Sequence, residues 1–425
     1  MRIPPAIARH EPLLRRLAIS LGIFVLVLCA LRAIVFRPED GDFKVHWGTG
    51  GRFLAGKFLY ATGADFPYLP ILGMLFAPTA LLSMPVAKAL CYPLGVAALL
   101  LLLWMLYRMI RPAFELTAAE AFWAGTIAVL LTARFIVRDQ AELGFNTIIA
   151  ALTWLGIYLW TKKRDTLAGA SLGLAIAVKL TPAIFLGYFV WKRQWRMAIC
   201  TTAAVLFFIL LPIVRQGPTS WSFHLKRWAQ NATQGISGTG TGFEANEVYR
   251  VTNMSFRPAL MYYLTHVPQN KYRWYEAPPL RYFNLPPLVA GWIVNTILMA
   301  VLGLFLWWSR GPVAVRNDPR ILWELALAAV LMLLISPITW GQHCVQLVPA
   351  CYLIGALAIK RGTLPAWIVT CVLLYVLLGA LTSRDLLGRW LAVEVIRHHT
   401  TTFAILALFP ILLLGPRLQR GRVAE

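Results

Sequence analysis

Acidic residues are scarce in this chain. Its 425 residues include 18 Asp and Glu against 40 Lys and Arg, a formal charge of +22. Nucleotide-binding and metalloprotease signatures are missing too: no Walker loop, GxGxxG or HExxH occurs, so nothing local points to a nucleotide or haem site. The six cysteines (Cys29, Cys91, Cys200, Cys344, Cys351 and Cys371) have no CxxC or Cys/His metal spacing and lie in or beside apolar segments. They read as buried thiols and say nothing of redox compartment. No acidic pair has metal-ligand spacing, so neither a metal nor a cofactor is expected. No internal repeat is evident.

Apolar residues are what the chain has in excess. They make up 59% of it, with a mean hydropathy of +0.66, where a soluble globular chain is nearer ~45–50%. Many runs approach the ~20 residues that cross a bilayer as a helix. The fold class that follows is an all-α polytopic membrane protein. Clear spans are 17–36, 89–110, 118–137, 145–161, 197–215, 286–308, 320–338, 343–359, 364–382 and 401–416. Two stretches are less regular. Residues 69–85 hold Pro70, Pro78 and Pro85, which break or kink a helix. Residues 166–191 carry Lys179 and Pro182 at their centre.

The basic residues cluster in short segments between the apolar runs, where they fix orientation, so no nucleic-acid partner is expected. The first run, 17–36, is too long for a signal-peptide core and lacks a small-residue cleavage site. It reads as an uncleaved helix. The N-terminus, 161–165, 192–196, 310–320, 360–362 and the tail 416–422 are then cytoplasmic. Both ends of 166–191 lie inside, which requires a re-entrant hairpin or two short crossings turning at 179–182. Non-helical backbone at that depth must face protein or a water-filled cavity. Between residue 37 outside and residue 161 inside, four segments must make an odd number of crossings. The Pro-rich 69–85 is expected not to cross and to lie as a short helix near the outer face.

The chain reads as one domain over 1–425, with outer segments 37–68, 216–285 and 383–400. Loops as long as the middle one are usually functional or disordered. Its Gly-rich run 235–242 has no following helix signal of the phosphate-loop kind, and its aromatics argue for short interfacial helices. Asn231 and Asn253 open glycosylation sequons.

Candidate chemistry lies mainly in these outer stretches. Asp42, just beyond the first membrane exit, could accept a proton from an attacking hydroxyl; it could equally be a solvated loop carboxylate or a helix cap. The other outer acids are Glu39, Asp40, Asp65, Asp139, Glu142, Glu244, Glu247, Glu276, Asp385 and Glu394. Lys179 is either a phosphate ligand or a snorkelling or paired lysine. His343 is either a donor to substrate or an interfacial histidine beside the belt residue Trp340. The outer cations Arg52, Arg138, Lys226, Arg227, Arg250, Arg257 and Arg273 suit a lipid phosphate or a headgroup rim.

Taken together, several stretches resemble family 87 glycosyltransferases, polyprenyl-phosphate-sugar-dependent mannosyltransferase-like membrane enzymes of the GT-C fold. They are Asp42-Phe43 with Gly56 and Tyr60, then FPYLPILGMLFAP at 66–78, then Gly144 and Asn146. AGASLGLAIAVKLTPAIFL at 168–186, NMSFRPAL at 253–260 and SPITWGQHCVQLVP at 336–349 follow in the same order as in the family. Leu69 replaces a usual Pro, Phe145 a small residue, and Gln342 stands where a second His is common.

The resemblance implies a GT-C-type bundle of roughly 11–13 membrane helices with short outer-face interfacial helices. It implies a cell-membrane enzyme with both termini cytoplasmic and an extracytoplasmic active site. It also implies a polyprenyl-phosphate sugar donor, a hexose (mannose first), a lipid or glycan acceptor, inversion at the anomeric carbon, and Asp42 as base. Lys179, His343, Arg257, Asn146, Tyr68 and Trp340 become candidates for substrate or phosphate contacts. A lipid-linked-sugar transporter or flippase is the alternative, disfavoured by the lack of paired broken helices. A non-catalytic membrane scaffold is the third reading.

Overall fold

The computed structural model describes residues 5–60, 68–237, 252–265 and 282–421, and among these every regular element is helical. Asp65, Glu244, Glu247, Glu276, Arg250, Arg273 and most of the Gly-rich 235–242 run lie outside the described residues. Helix α1 (Pro5–Leu31) continues as a π-helical turn to Phe36. It is followed by α2 (Asp42–Leu54), α3 (Pro70–Phe76), α4 (Met84–Ala113), α5 (Ala118–Glu142), α6 (Asn146–Thr161), α7 (Asp165–Val178), α8 (Ala183–Trp191) and α9 (Trp195–Leu210). Next come α10 (Ile213–Gln216), α11 (Pro218–Ser237), α12 (Phe256–Leu264), α13 (Pro287–Trp308), α14 (Pro319–Ile335), α15 (Val348–Arg361), α16 (Ala366–Tyr375), α17 (Arg384–Arg397) and α18 (Thr400–Gln419).

Seven helices among the described residues are long and apolar enough to cross a membrane: His10–Phe36, Met84–Ala113, Ala118–Glu142, Trp195–Gln216, Pro287–Trp308, Gly341–Arg361 and Thr400–Gln419. Shorter apolar helices occupy Asn146–Thr161, Asp165–Val178 and Ala366–Ala380. This is a polytopic membrane helix bundle. Its centre is α14, whose residues from Leu325 to Leu331 are fully buried. The six cysteines are all free.

Ion pairs define one end of the bundle. Asp165 at the start of α7 pairs with Arg316 at 2.6 Å, and Lys192 just past α8 pairs with Glu324 at 2.8 Å. Lys192 also donates to the Ser309 carbonyl at 2.7 Å. Both ends of 165–192 therefore meet the same short region, 309–324. The break between α7 and α8 reaches the opposite end, where Lys179 Nζ donates to Asn146 Oδ1 at 2.7 Å. The segment doubles back on itself, as either a re-entrant hairpin or two short crossings would. Pro182 lacks an N–H and its ring opposes a continuous helix, and Lys179 leaves α7 with extended backbone, φ −143°. Gly169 and Gly173 in α7 allow Cys200, Thr201 and Ala204 of α9 to sit where a Cβ would clash, the small-residue packing common between membrane helices.

The helix in the Pro-rich stretch is too short to span a membrane. α3 has seven residues, a rise of about 10 Å, against a hydrocarbon core of about 30 Å. A 3₁₀ turn, Pro78–Leu81, leads on to α4. α3 packs on α2, with Gly73 against Thr49 and Phe53. Lys88 of α4 ties down the exit from α1: its Nζ donates to the carbonyls of Ala33 (3.1 Å), Arg37 (2.7 Å) and Asp40 (2.7 Å). All three ammonium protons are used there.

At the ion-paired end, Glu324 is 1% exposed and accepts from Lys192 at 2.8 Å, Arg320 at 3.0 Å and the Tyr188 hydroxyl at 2.8 Å. Removing one partner of such a buried cluster leaves the others uncompensated. Glu324→Ala is expected to cost about 3–5 kcal/mol of stability, read as a lower thermal midpoint of the purified protein in detergent. An unchanged midpoint would show that the cluster does not hold this end together.

Candidate active site

The site is assembled by the turn between α5 and α6. Asp139, 2% exposed, accepts from the Asn146 and Thr147 amides at 3.1 and 2.9 Å, from Asn146 Nδ2 at 2.9 Å and from the Thr147 hydroxyl at 2.6 Å. Two of these donors are the otherwise orphaned N–H groups of the first turn of α6, where a carboxylate also suits the helix dipole. The bonds close a strained loop. Leu143 and Phe145 both have positive φ, 50° and 58°, a conformation that costs a non-glycine residue about 1–2 kcal/mol. Gly144 between them lies so close to two carboxylates that a Cβ there would be 2.6 Å from Asp139 Oδ1 and 3.2 Å from Asp42 Oδ2.

Phe145 docks α2 onto this turn. Its ring lies 4.7 Å from Phe76, 6.0 Å from Phe43 and 5.5 Å from His46, centroid to centroid. Phe43 is fully buried, so the neighbouring Asp42, first residue of α2, is held at the edge of the cluster. Gly41, at φ +89° and against the Glu142 carbonyl, makes the sharp entry. Asp42 Oδ2 accepts from Gln342 Nε2 at 2.8 Å. Burial pushes the Asp42 carboxyl above its ordinary value, while Gln342, Arg138 and Lys179 pull the other way. His46, one helical turn on, is packed among Tyr68, Phe76 and Phe145. Burial, with the Lys179 charge adding to it, drives this imidazole down to about 3, so it is neutral at physiological pH.

Asn146 links the two halves of the site, since Nδ2 bonds Asp139 while Oδ1 accepts from Lys179. A narrow cleft lies beside this pair, lined by Asn146, Lys179, Thr181, Ser336, Thr339, His343 and Gln346 together with the apolar Ile149, Met332 and Leu333. The 3₁₀ turn Gly341–Leu347 delivers Gln342 to Asp42 and the next residue, His343, to the cleft. The His343 ring accepts the Trp340 amide at 3.2 Å.

Asp42, Asn146, Lys179, His343 and Trp340 thus come together from distant parts of the sequence. Tyr68 joins them through its ring, 5.3 Å from His46. Arg257 does not line the cleft; it bonds Asn295 of α13 at 2.6 Å. Asn253 is fully buried, with Oδ1 accepting from Ser255 and Thr339 and Nδ2 donating to Pro337, so that sequon is structural. Sequence reasoning missed Asp139, Gln342 and Gln346 as parts of the site. The available signals were an acid at the end of an apolar helix seven residues before Asn146, and two glutamines flanking His343. Among the described residues no group of three His, Cys, Asp or Glu could hold a metal ion.

The model of glycosyltransferase family 87 matches residues 66–337. The chain belongs to that family. Three curated mycobacterial proteins are similar over most of their length. One is the polyprenol-phosphate-mannose-dependent alpha-(1-2)-phosphatidylinositol mannoside mannosyltransferase of Mycobacterium tuberculosis, 23% identical over 402 residues, 88% of this chain and 82% of that protein. The protein of the same description from Mycolicibacterium smegmatis is 25% identical over 87% of this chain and 79% of its own. A polyprenol-phosphate-mannose-dependent alpha-(1-2)-phosphatidylinositol pentamannoside mannosyltransferase from M. smegmatis is 28% identical over 84% of this chain and 80% of its own. A family 87 chain is a glycosyltransferase, and the transporter and scaffold readings are set aside.

Gly144→Ala tests the close approach of the two carboxylates. The added methyl must displace Asp139 and crowd Asp42, and misplacement of about 1 Å can cost on the order of a hundredfold in rate. The expected result is a folded protein with a normal elution profile and a transfer rate lowered by about that factor. Wild-type turnover would mean that Asp42 has no fixed position to lose.

Proposed function

We propose that this chain transfers a hexose, mannose first, from a polyprenyl-phosphate donor to a hydroxyl of a lipid or glycan acceptor, with inversion and with Asp42 as general base. The observation that carries the reading is a half-buried carboxylate held by Gln342, beside a cleft that contains Lys179. The three relatives share a polyprenol-phosphate-mannose donor in their descriptions, which supports the donor class. Their phosphatidylinositol mannoside acceptors support a lipid-borne sugar as acceptor.

In this reading Asp42 takes the acceptor's hydroxyl proton as its oxygen bonds the anomeric carbon. The bond from that carbon to the donor phosphate breaks, and its electron pair leaves with the lipid phosphate. Lys179 faces the charge that develops there. Basic residues crowd the opposite end of the bundle, among them Lys162, Lys163, Arg193, Arg316, Lys360 and Arg361. By the positive-inside rule that end is cytoplasmic and the site extracytoplasmic. The segments 37–68 and 216–285 then form the outer surface of a single membrane domain.

Asp42→Asn is expected to lower turnover by about 10²–10⁴-fold while leaving donor binding intact, measured by mass-spectrometric product detection and by donor titration. Undiminished transfer would contradict the base assignment. The pH profile carries a second test. Asp42 must be ionised to act, and its raised pKa places the acid limb of kcat/KM above the range of a free carboxylic acid, with activity lost as pH falls through that value. Gln342→Leu removes a hydrogen bond that favours the ionised form, so the limb moves to higher pH. A limb that stays put or moves down would detach Gln342 from the base.

A further inference from the structure

The 3₁₀ turn that supplies Gln342 and His343 ends with a third polar residue, Gln346. It is 4% exposed and lines the cleft. Its Oε1 meets no hydrogen-bond donor among the described residues. A buried carbonyl oxygen left without a donor costs about 1–3 kcal/mol, and buried polar groups in folded proteins otherwise find partners. Such an atom on the wall of a binding cleft is satisfied when the ligand arrives.

The surrounding groups identify the chemistry of that ligand. Two hydroxyl-bearing residues that also line the cleft have already given away their protons: Ser336 Oγ donates to the Ile338 carbonyl at 2.8 Å, and Thr339 Oγ1 to the Leu333 carbonyl at 2.7 Å. Each offers the cleft only lone pairs. With Gln346 Oε1 they make an acceptor-rich wall, which disfavours a phosphate, since its ionised oxygens have no proton to give. It fits a polyol, whose hydroxyls donate. Lys179 is the complement: its ammonium spends one donor on Asn146 Oδ1 and has three. One cleft thus joins a cationic corner suited to phosphate and an acceptor wall suited to sugar hydroxyls.

We propose that Gln346 is a specificity-determining residue that accepts a hydrogen bond from one hydroxyl of the transferred sugar. This rests on the reading of the cleft as the donor site. Sites built to bond a substrate hydroxyl discriminate against the analogue that lacks it, because their own polar group is then left unpaired.

The test uses the full-length protein in lipid nanodiscs, polyprenyl-phosphate mannose, and a series of donors each lacking one sugar hydroxyl. The unaltered chain is expected to lose about tenfold or more in kcat/KM with one member of the series. Gln346→Met, close in shape but without an acceptor, should abolish that penalty and leave the penalties for the other analogues in place. Gln346→Glu, which keeps an acceptor, should retain it. If the Met variant does not fold, Gln346→Asn, with its carbonyl drawn back by one methylene, must still shrink the same penalty. Identical penalty patterns in the unaltered chain and the folded variants would overturn the assignment of Gln346 alone. Failure of the unaltered chain to use any polyprenyl-phosphate sugar would overturn the donor reading, and this inference with it.

Discussion

The site depends on one buried carboxylate. Asp139 gathers four hydrogen bonds from two consecutive residues at the start of α6, and those bonds hold a loop that would otherwise relax. Leu143 and Phe145 are kept in left-handed backbone, Gly144 is pressed towards Asp42, and Asn146 is turned so that its free oxygen takes Lys179. Strain of a few kcal/mol persists only where surrounding structure over-determines it, and here the over-determination comes from a single side chain. Asp139 does not itself line the cleft, so its effect on chemistry runs through Asn146, Gly144 and the docking of Phe145.

The two ends of the bundle use charge in different ways. At one, Asp165, Arg316, Lys192, Glu324 and Arg320 are paired with one another or with carbonyls, which closes the α7–α8 hairpin at its base. At the other, the tip of the same hairpin carries a lysine bonded to a neutral amide. A cation whose fixed partner is an amide keeps more of its field for a ligand than one matched to a carboxylate. Pro182 breaks the helix where Lys179 is needed, so the cation sits between the C-terminal end of α7 and the N-terminal end of α8.

Much of this was legible in the sequence. Hydropathy marked the long apolar helices, the prolines at 69–85 marked a helix of only seven residues, and crossing parity singled out the turn at Lys179. The motif order placed Asp42, Asn146, Lys179 and His343 in one family pattern, and the structure brings their side chains to one place. What could not be read was how side chains are shared between distant segments. Asp139 looked like one of several outer acids because its partners are fixed by a turn of two left-handed residues that no propensity foretells. Gln342 stood out as a departure from the family pattern, yet its bond to Asp42 spans 300 positions. Arg257 fitted a phosphate ligand by type, and the fold sets it beside Asn295, away from the cleft. Asn253 matched a modification signal that depends on exposure, and exposure is settled only by the fold.

The central claim is that the donor's phosphate sits at Lys179 with its sugar between that cation and Asp42. A cryo-electron microscopy structure of the Asp42→Asn protein in nanodiscs with polyprenyl-phosphate mannose tests this most directly. The account predicts phosphate density within hydrogen-bond reach of Lys179 Nζ and the anomeric carbon turned towards position 42. Phosphate density at the opposite, ion-paired end of the bundle, beside Arg320 and Lys360, would contradict it.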